Sequence, residues 1–187
     1  MADRRTGGRS ARVKASVHAA VVDQLTEGSL DIAIADVARR AGVNPTSIYR
    51  RWGDRERLIM DAAVTRLLES SPMPDTGSLR GDLTAWADAV EEQISRPDGQ
   101  VLLRALIATL PGSRAAAETR AEFLERRLAD LQELLDRAAT RGERPPTAYR
   151  VIEAVIAPLY MNVLFGGVVP PHGYGRDLVG RLLGDAQ

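Results

Sequence analysis

Apolar side chains recur at intervals of three and four residues through most of the chain, which is the spacing of amphipathic helices. In the first such stretch, residues 10–26, the repeating positions are Val13, Val17, Ala20, Val21 and Leu25. No segment alternates apolar and polar residues for long enough to predict a strand. The pattern therefore predicts an all-α chain.

Glycines and prolines divide this pattern into segments of helical length. The predicted helices cover residues 10–26, 34–41, 45–51, 54–70, 79–95, 98–110, 113–141, 147–165 and 175–183. Pro72 and Pro74 stop the fourth helix, because proline cannot continue the backbone hydrogen bonds. We predict a disordered basic arm at residues 1–9, a head at 10–56, a linking helix at 54–70 and a body at 57–187.

Residues 34–59 combine a short helix, a tight turn and a second short helix. Gly42 ends the first helix, since glycine adopts a positive φ at little cost. Asn44 is suited to cap the second helix, with Pro45 at its first position. A short helix presented in this way fits the major groove of B-DNA. The segment predicts a helix-turn-helix that binds double-stranded DNA.

The second short helix carries small polar groups, an aromatic hydroxyl and arginines. Thr46 and Ser47 lie where side chains meet base edges, although they could instead only support the cap. Tyr49 is suited to a phosphate oxygen, and its alternative is a place in the core. The arginines favour phosphate contacts, or simply form a solvated face. The residues predicted to contact DNA are Arg12, Asn44, Pro45, Thr46, Ser47, Tyr49, Arg50, Arg51 and Arg55.

Charge is unevenly distributed, although the 187-residue chain has zero formal net charge. Residues 1–57 hold 11 Lys and Arg against 7 Asp and Glu, whereas residues 58–187 hold 14 against 18. A basic head on an acidic body is expected when only the head approaches phosphate, and such attraction weakens with salt.

Residues 151–165 are apolar on nearly all sides, so a helix there must be covered on all sides. It lies either at the centre of the body or against a second copy of the chain. Pro158 should bend it. With the helix at 175–183, it would form a four-helix interface between two copies. The predicted interface residues are Val155, Leu159, Met161, Val163, Leu178 and Leu182.

Several functions lack support in the sequence. There is no cysteine, which excludes disulfides and thiolate chemistry. No stretch is long and apolar enough for a membrane span or a signal peptide, so we expect a cytoplasmic protein without a membrane partner. His18 and His172 are isolated, and neither a P-loop nor a dinucleotide motif occurs. We therefore predict neither enzymatic activity nor a metal or cofactor.

Together these residues resemble the head of the TetR family of bacterial transcriptional regulators, in an AcrR-like form. The matching runs are Ile34-Ala-Asp-Val-Ala, Ala41-Gly-Val-Asn, Ser47-Ile-Tyr, Trp52 and Asp54-Arg-Glu with Leu58. The run Ala157-Pro-Leu-Tyr, followed by Phe165-Gly-Gly, resembles the dimerising helix of an actinobacterial-type branch. Three slots depart from the pattern: Ala33 replaces a capping threonine, Trp52 a phenylalanine and Arg55 a lysine.

The resemblance implies a homodimer that binds a near-palindromic operator, usually as a repressor, and that a small molecule releases by changing the separation of the heads. We expect an apolar effector, although a place in the core is the favoured interpretation of Trp86. The predicted lining is Leu83, Trp86, Leu103, Leu106, Phe123 and Leu124. The competing hypothesis is a helical dimerisation or protein-interaction module without a ligand response.

Overall fold

The computed structural model describes residues 4–28, 31–109, 113–165 and 172–184, and every regular element in these ranges is helical. The all-α prediction is confirmed. No helix among the described residues has the length and apolar character needed to cross a membrane. The helices are α1 Arg4–Thr26, α2 Ile34–Ala41, α3 Pro45–Trp52, α4 Arg55–Ser70, α5 Leu79–Ser95, α6 Pro97–Ala108, α7 Arg114–Thr140, α8 Ala148–Val151, α9 Ala157–Leu164 and α10 Tyr174–Leu182.

The first helix begins earlier than the sequence predicts. Residues 4–9, predicted to belong to a disordered arm, form the first turns of α1, and residues 1–3 lie outside the described residues. No proline interrupts this stretch, and the Arg12 Nε atom donates a hydrogen bond to the Gly8 carbonyl one turn earlier at 3.3 Å. Helical bonding therefore continues through two glycines that weaken a helix without stopping it.

The head has a compact apolar core. Helices α1 to α4 bury one face each, and α6 of the body adds Leu102 and Ala105 to the same cluster. The members from residues 17 to 67 that are 0% exposed are Val17, Val21, Ile32, Val37, Ile48, Leu58, Ala62 and Ala63. Helix α4 packs against α1, α6 and α7, and α1 also packs against α6. Both α1 and α4 therefore contact the body.

A second apolar cluster forms the centre of the body. Trp86 of α5 is 1% exposed and lies among leucines and valines from α5, α7, α8, α9 and α10. Other members of this cluster that are 0% exposed include Leu83, Leu131, Leu134, Val151 and Val155. The body is therefore built by packing helix on helix, with no sheet among the described residues.

The helix predicted at 147–165 is interrupted. Between α8 and α9 the backbone forms a π-helical segment at Ile152–Ile156, directly before Pro158. Proline has no N–H to donate to the carbonyl four residues earlier, and its ring clashes with that carbonyl. Pro158 is therefore accommodated by a local widening of the helix before it.

Glu91 illustrates how the body holds its last helix. Its carboxylate accepts hydrogen bonds from the backbone N–H groups of Gly173 at 3.1 Å and Gly175 at 2.7 Å. These groups lie at the N-terminus of α10, where unpaired N–H groups favour a negative charge. Glu91 therefore has a structural role as the cap of α10.

Candidate DNA-binding site

The turn between α2 and α3 is fixed by its own residues. Gly42 has a φ of 67°, in the left-handed region that favours glycine, and the Val43 N–H donates to the Ala38 carbonyl at 2.9 Å. The Asn44 side chain then accepts a hydrogen bond from the Thr46 N–H at 2.8 Å. Pro45 occupies the first position of α3. The predicted stop, cap and start are all confirmed.

Helix α3 has one buried face and one exposed face. Ile48 is 0% exposed and Trp52 is 3% exposed, so both anchor the helix in the head core. On the outer face Tyr49 is 54% exposed, Thr46 is exposed and Ser47 is half-buried. The exposure of Tyr49 removes the alternative that it is a core residue. Asn44 and Pro45, at the N-terminal tip, are exposed as well.

The predicted DNA-contacting arginines differ in what already binds them. Arg50 is exposed and has no carboxylate within ion-pair distance among the described residues. Arg51 donates to the carbonyl and hydroxyl of Ser10, at 3.2 and 2.7 Å, and its guanidinium lies 5.5 Å from the centre of the Trp52 ring. Arg51 therefore joins α3 to α1.

Arg55 and Arg12 lie outside α3, on α4 and α1 respectively. Arg55 forms ion pairs with Asp31 and, at 3.3 Å, with Glu56. Its charge is thus largely balanced by two carboxylates of the same chain. Arg12 is exposed on α1, where its Nε atom bonds the backbone of its own helix.

Asp61 of α4 is a functional candidate that the sequence analysis missed. Its Oδ2 atom accepts hydrogen bonds from Trp52 Nε1 at 2.8 Å and His18 Nε2 at 2.9 Å, and Lys14 Nζ lies 3.2 Å from Oδ1. The prediction that His18 is isolated is wrong. The carboxylate that it contacts belongs to α4 and does not lie one helical turn away on α1. The Asp61 partner is 43 residues distant in sequence.

The environment keeps the Asp61 carboxylate ionised. Burial alone would raise its pKa, but the hydrogen bonds from His18 and Trp52, together with the charges of His18 and Lys14, outweigh burial. The pKa of Asp61 therefore lies well below its ordinary value. Because an ionised carboxylate can only accept hydrogen bonds, His18 Nε2 carries the shared proton.

The predicted effector-lining residues differ in how far they are buried. Leu83 and Trp86 are packed in the body core, Leu103 is buried, Leu106 and Phe123 are half-buried, and Leu124 is 49% exposed. None of the six lines the described grooves of about 870, 340 and 430 Å³. Of the six, Leu83 and Trp86, at helical spacing on α5, belong to the apolar core of the body.

The predicted dimer residues divide into two groups. Val155, Leu159 and Leu178 are at most 6% exposed and belong to the core of their own chain, so their assignment to an interface is wrong. Met161 is 52% exposed, and Val163 and Leu182 are half-buried at the surface.

Phe165 was not among the predicted interface residues, yet it is 77% exposed. A helix that is apolar on all sides gives no indication from sequence of which side its own chain covers.

Comparison with known proteins agrees with this architecture. A family model for the tetracyclin repressor-like C-terminal domain matches residues 73–182. The HTH-type transcriptional regulator AqdR of Rhodococcus erythropolis is 38% identical over 136 residues, covering 72% of this chain and 65% of AqdR. The matched region therefore spans slightly less than two thirds of that relative.

Two further similarities extend over more of the chain. The HTH-type transcriptional regulator YdeS of Bacillus subtilis is 28% identical over 167 residues, which is 88% of this chain and 84% of YdeS. The crystal structure of the TetR family transcription regulator SCO0332 superposes with a TM-score of 0.76 at 28% identity, covering 91% of this chain and 96% of that one. Together with the family model, these similarities show that the chain belongs to the TetR family of transcriptional regulators.

Proposed function

We propose that this regulator is a homodimeric repressor whose two α3 helices bind the half-sites of a near-palindromic DNA operator, and that a small effector releases it. The observation that carries the proposal is the division of α3 into a buried face, Ile48 and Trp52, and an outer face that exposes Thr46 and Tyr49. A rigidly anchored helix with an open polar face suits the major groove.

The outer face of α3 offers groups for both kinds of DNA contact. The hydroxyls of Thr46 and Ser47, at the N-terminal end, suit base edges. The Tyr49 hydroxyl and the Arg50 guanidinium suit phosphate oxygens, which position a protein on the duplex without reading sequence. Arg50 contributes most in this proposal, since Arg51 and Arg55 already bind groups of their own chain.

The proposed dimer forms through exposed apolar side chains of α9 and α10. Met161 and Phe165 are the most exposed of these, and Val163, Leu164 and Leu182 are half-buried. An exposed patch of this kind is typical of an interface, and a two-fold axis places the same patch on both subunits. This surface replaces the core residues Val155, Leu159 and Leu178 in the proposed interface.

The proposed effector is largely apolar and carries a hydrogen-bond acceptor. Trp86 Nε1 and Gln93 Nε2 are buried donors of the body core that have no acceptor among the described residues. Arg127 is 6% exposed, binds Ser71 and lies 5.2 Å from the centre of the Trp86 ring, with no carboxylate at ion-pair distance in the described ranges. Buried donors without partners are costly, so an acceptor on a ligand would be favoured here.

Selection of duplexes from a random pool by the purified wild-type chain tests the DNA-binding part. We expect enrichment of a near-palindrome whose half-sites are separated by about one helical turn, or a multiple of it. Enrichment of no sequence, with no salt-dependent retention of duplex DNA, would contradict the proposal and favour a protein-interaction module.

The effector part has its own test, with 1-anilinonaphthalene-8-sulfonate as an apolar probe that carries acceptor oxygens. We expect the probe to weaken binding to the selected duplex, and Gln93→Leu to reduce that effect several-fold, because it removes a buried donor. Gln132→Leu, at an exposed position of α7, serves as the control. A probe without effect, or an equal effect in all three proteins, would contradict this assignment.

A further inference from the structure

Three helices of the head meet at one carboxylate. Asp61 of α4 accepts hydrogen bonds from Trp52, the last residue of α3, and from His18 of α1, while Lys14 of α1 lies beside its other oxygen. The Asp61 side chain is 23% exposed and His18 is 10% exposed, so water competes only weakly for these bonds. A charge-assisted bond in such a place is stronger than one at the surface.

Trp52 supplies the hydrogen-bond donor of α3 in this arrangement. A phenylalanine, which the resembling pattern has in this slot, would fill the core but could not donate a hydrogen bond. The indole N–H gives α3 a directional bond to α4 in addition to apolar packing. Because Trp52 ends α3, fixing its ring limits how the helix can rotate about its own axis.

The position of Asp61 on α4 links this bond to the body. Helix α4 packs against α6 and α7, so a shift of α4 within the body moves Asp61 as well. We propose that Asp61 is a positioning residue, which sets the orientation of α3 for DNA through Trp52 and ties α1 and α3 to the same point on α4. This inference rests on the proposed DNA-binding function.

The test compares Asp61→Asn, Trp52→Phe and the double variant by fluorescence anisotropy with the duplex that the wild-type chain selects. Asparagine keeps the shape of the side chain and removes its charge, whereas Trp52→Phe removes the N–H donor. Glu69→Gln is the matched control, because it changes an exposed carboxylate of α4 to an amide. We expect Asp61→Asn to weaken binding about tenfold and Glu69→Gln to leave it unchanged.

Coupling between the two residues separates positioning from a general loss of structure. If the hydrogen bond between Trp52 and Asp61 accounts for the loss of DNA affinity, the two substitutions are not additive. The affinity of the double variant should then lie within about twofold of that of the single variant that binds DNA more weakly. Trp emission provides a second readout: Asp61→Asn should shift the emission of the wild-type chain, and the shift should be absent in the Trp52→Phe background. Circular dichroism at the temperature of the titration checks that each variant is folded.

Each result decides between defined alternatives. A folded Asp61→Asn variant that binds as tightly as the wild type would overturn the inference while leaving the proposed function intact. A wild-type chain that does not bind duplex DNA would overturn both. If Asp61→Asn is unfolded, Trp52→Phe decides alone, and unchanged affinity of that folded variant would overturn the inference.

Discussion

Trp52 Nε1 lies 2.8 Å from Asp61 Oδ2, and this hydrogen bond joins the end of α3 to α4. The same oxygen accepts the His18 bond at 2.9 Å, so α1 and α3 share one acceptor. The apolar core holds α3 by one face, and the carboxylate fixes its C-terminal end. The face that carries Thr46 and Tyr49 is thereby directed away from the rest of the head.

The lowered pKa of Asp61 predicts how acid affects stability. A carboxylate whose pKa is lower in the folded than in the unfolded chain stabilises the fold above its unfolded pKa of about 4, and the contribution is lost as pH falls toward the folded pKa. We expect Asp61→Asn to lower the free energy of unfolding by about 2 kcal/mol at pH 7.

Urea unfolding at several pH values measures this effect. The difference between the wild type and Asp61→Asn should shrink below about pH 4, because Asp61 binds a proton in the unfolded chain while it is still ionised in the folded chain. The groups that face Asp61 are Lys14 and His18 from α1 and Trp52 from α3. A difference that stays constant from pH 7 to pH 3 would show that charge is not what stabilises this site.

Arg50 and Arg55 should contribute unequally to DNA affinity. Arg50 is exposed without a carboxylate partner in the described ranges, whereas Arg55 is paired with Asp31 and Glu56. We expect Arg50→Ala to weaken binding to selected and random duplexes alike. It should also reduce the slope of log affinity against log salt concentration by the equivalent of about one phosphate contact. Arg55→Ala should have the smaller effect in the same titrations. The reverse order would mean that the Arg55 ion pairs open when DNA binds.

Phe165 tests the proposed dimer surface. Its side chain is 77% exposed, and we expect Phe165→Glu to convert a dimer to a monomer, because an interface that buries a charge without a partner is unfavourable. Sedimentation equilibrium measures the mass directly. Tyr149→Glu is a matched control, since Tyr149 is also an exposed aromatic residue, at 73%, outside α9 and α10. A dimer that survives Phe165→Glu would place the interface elsewhere.

Replacing Gly99 by even the smallest side chain should destabilise the fold strongly. A Cβ atom at this position in α6 would lie 1.9 Å from the Gln93 carbonyl oxygen, which belongs to the backbone and cannot move aside freely. We expect Gly99→Ala to destabilise the chain by about 3 kcal/mol. Gly8→Ala, where nothing lies within 4 Å, is the control and should not destabilise it. Equal unfolding midpoints in urea would contradict the close approach.

The elements that the sequence predicts best are those with local causes. Helices α2 and α5 begin and end at the predicted residues, and α3 and α4 start at predicted caps, because Asn44 and Asp54 bond backbone groups two and three residues away. Such capping is visible in the order of residues alone.

The parts that were missed depend on distant residues. The bonds from His18 to Asp61 and from Arg51 to Ser10 join positions 43 and 41 residues apart. The wrongly assigned interface residues Val155 and Leu159 lie on an all-apolar helix, whose covered side depends on how α5, α7 and α10 pack. No local spacing encodes that arrangement.

Anisotropy titration of the selected duplex with a Thr46→Ala, Ser47→Ala, Tyr49→Phe triple variant tests the central claim most directly. Each substitution removes a proposed DNA contact, and Thr46 and Ser47 are the residues proposed to read the base sequence. We therefore expect the triple variant to bind the selected duplex about 100-fold more weakly. Its preference over a random duplex should largely disappear, while its circular dichroism stays that of the wild type. A folded triple variant with wild-type affinity and preference would contradict the claim that the outer face of α3 recognises DNA.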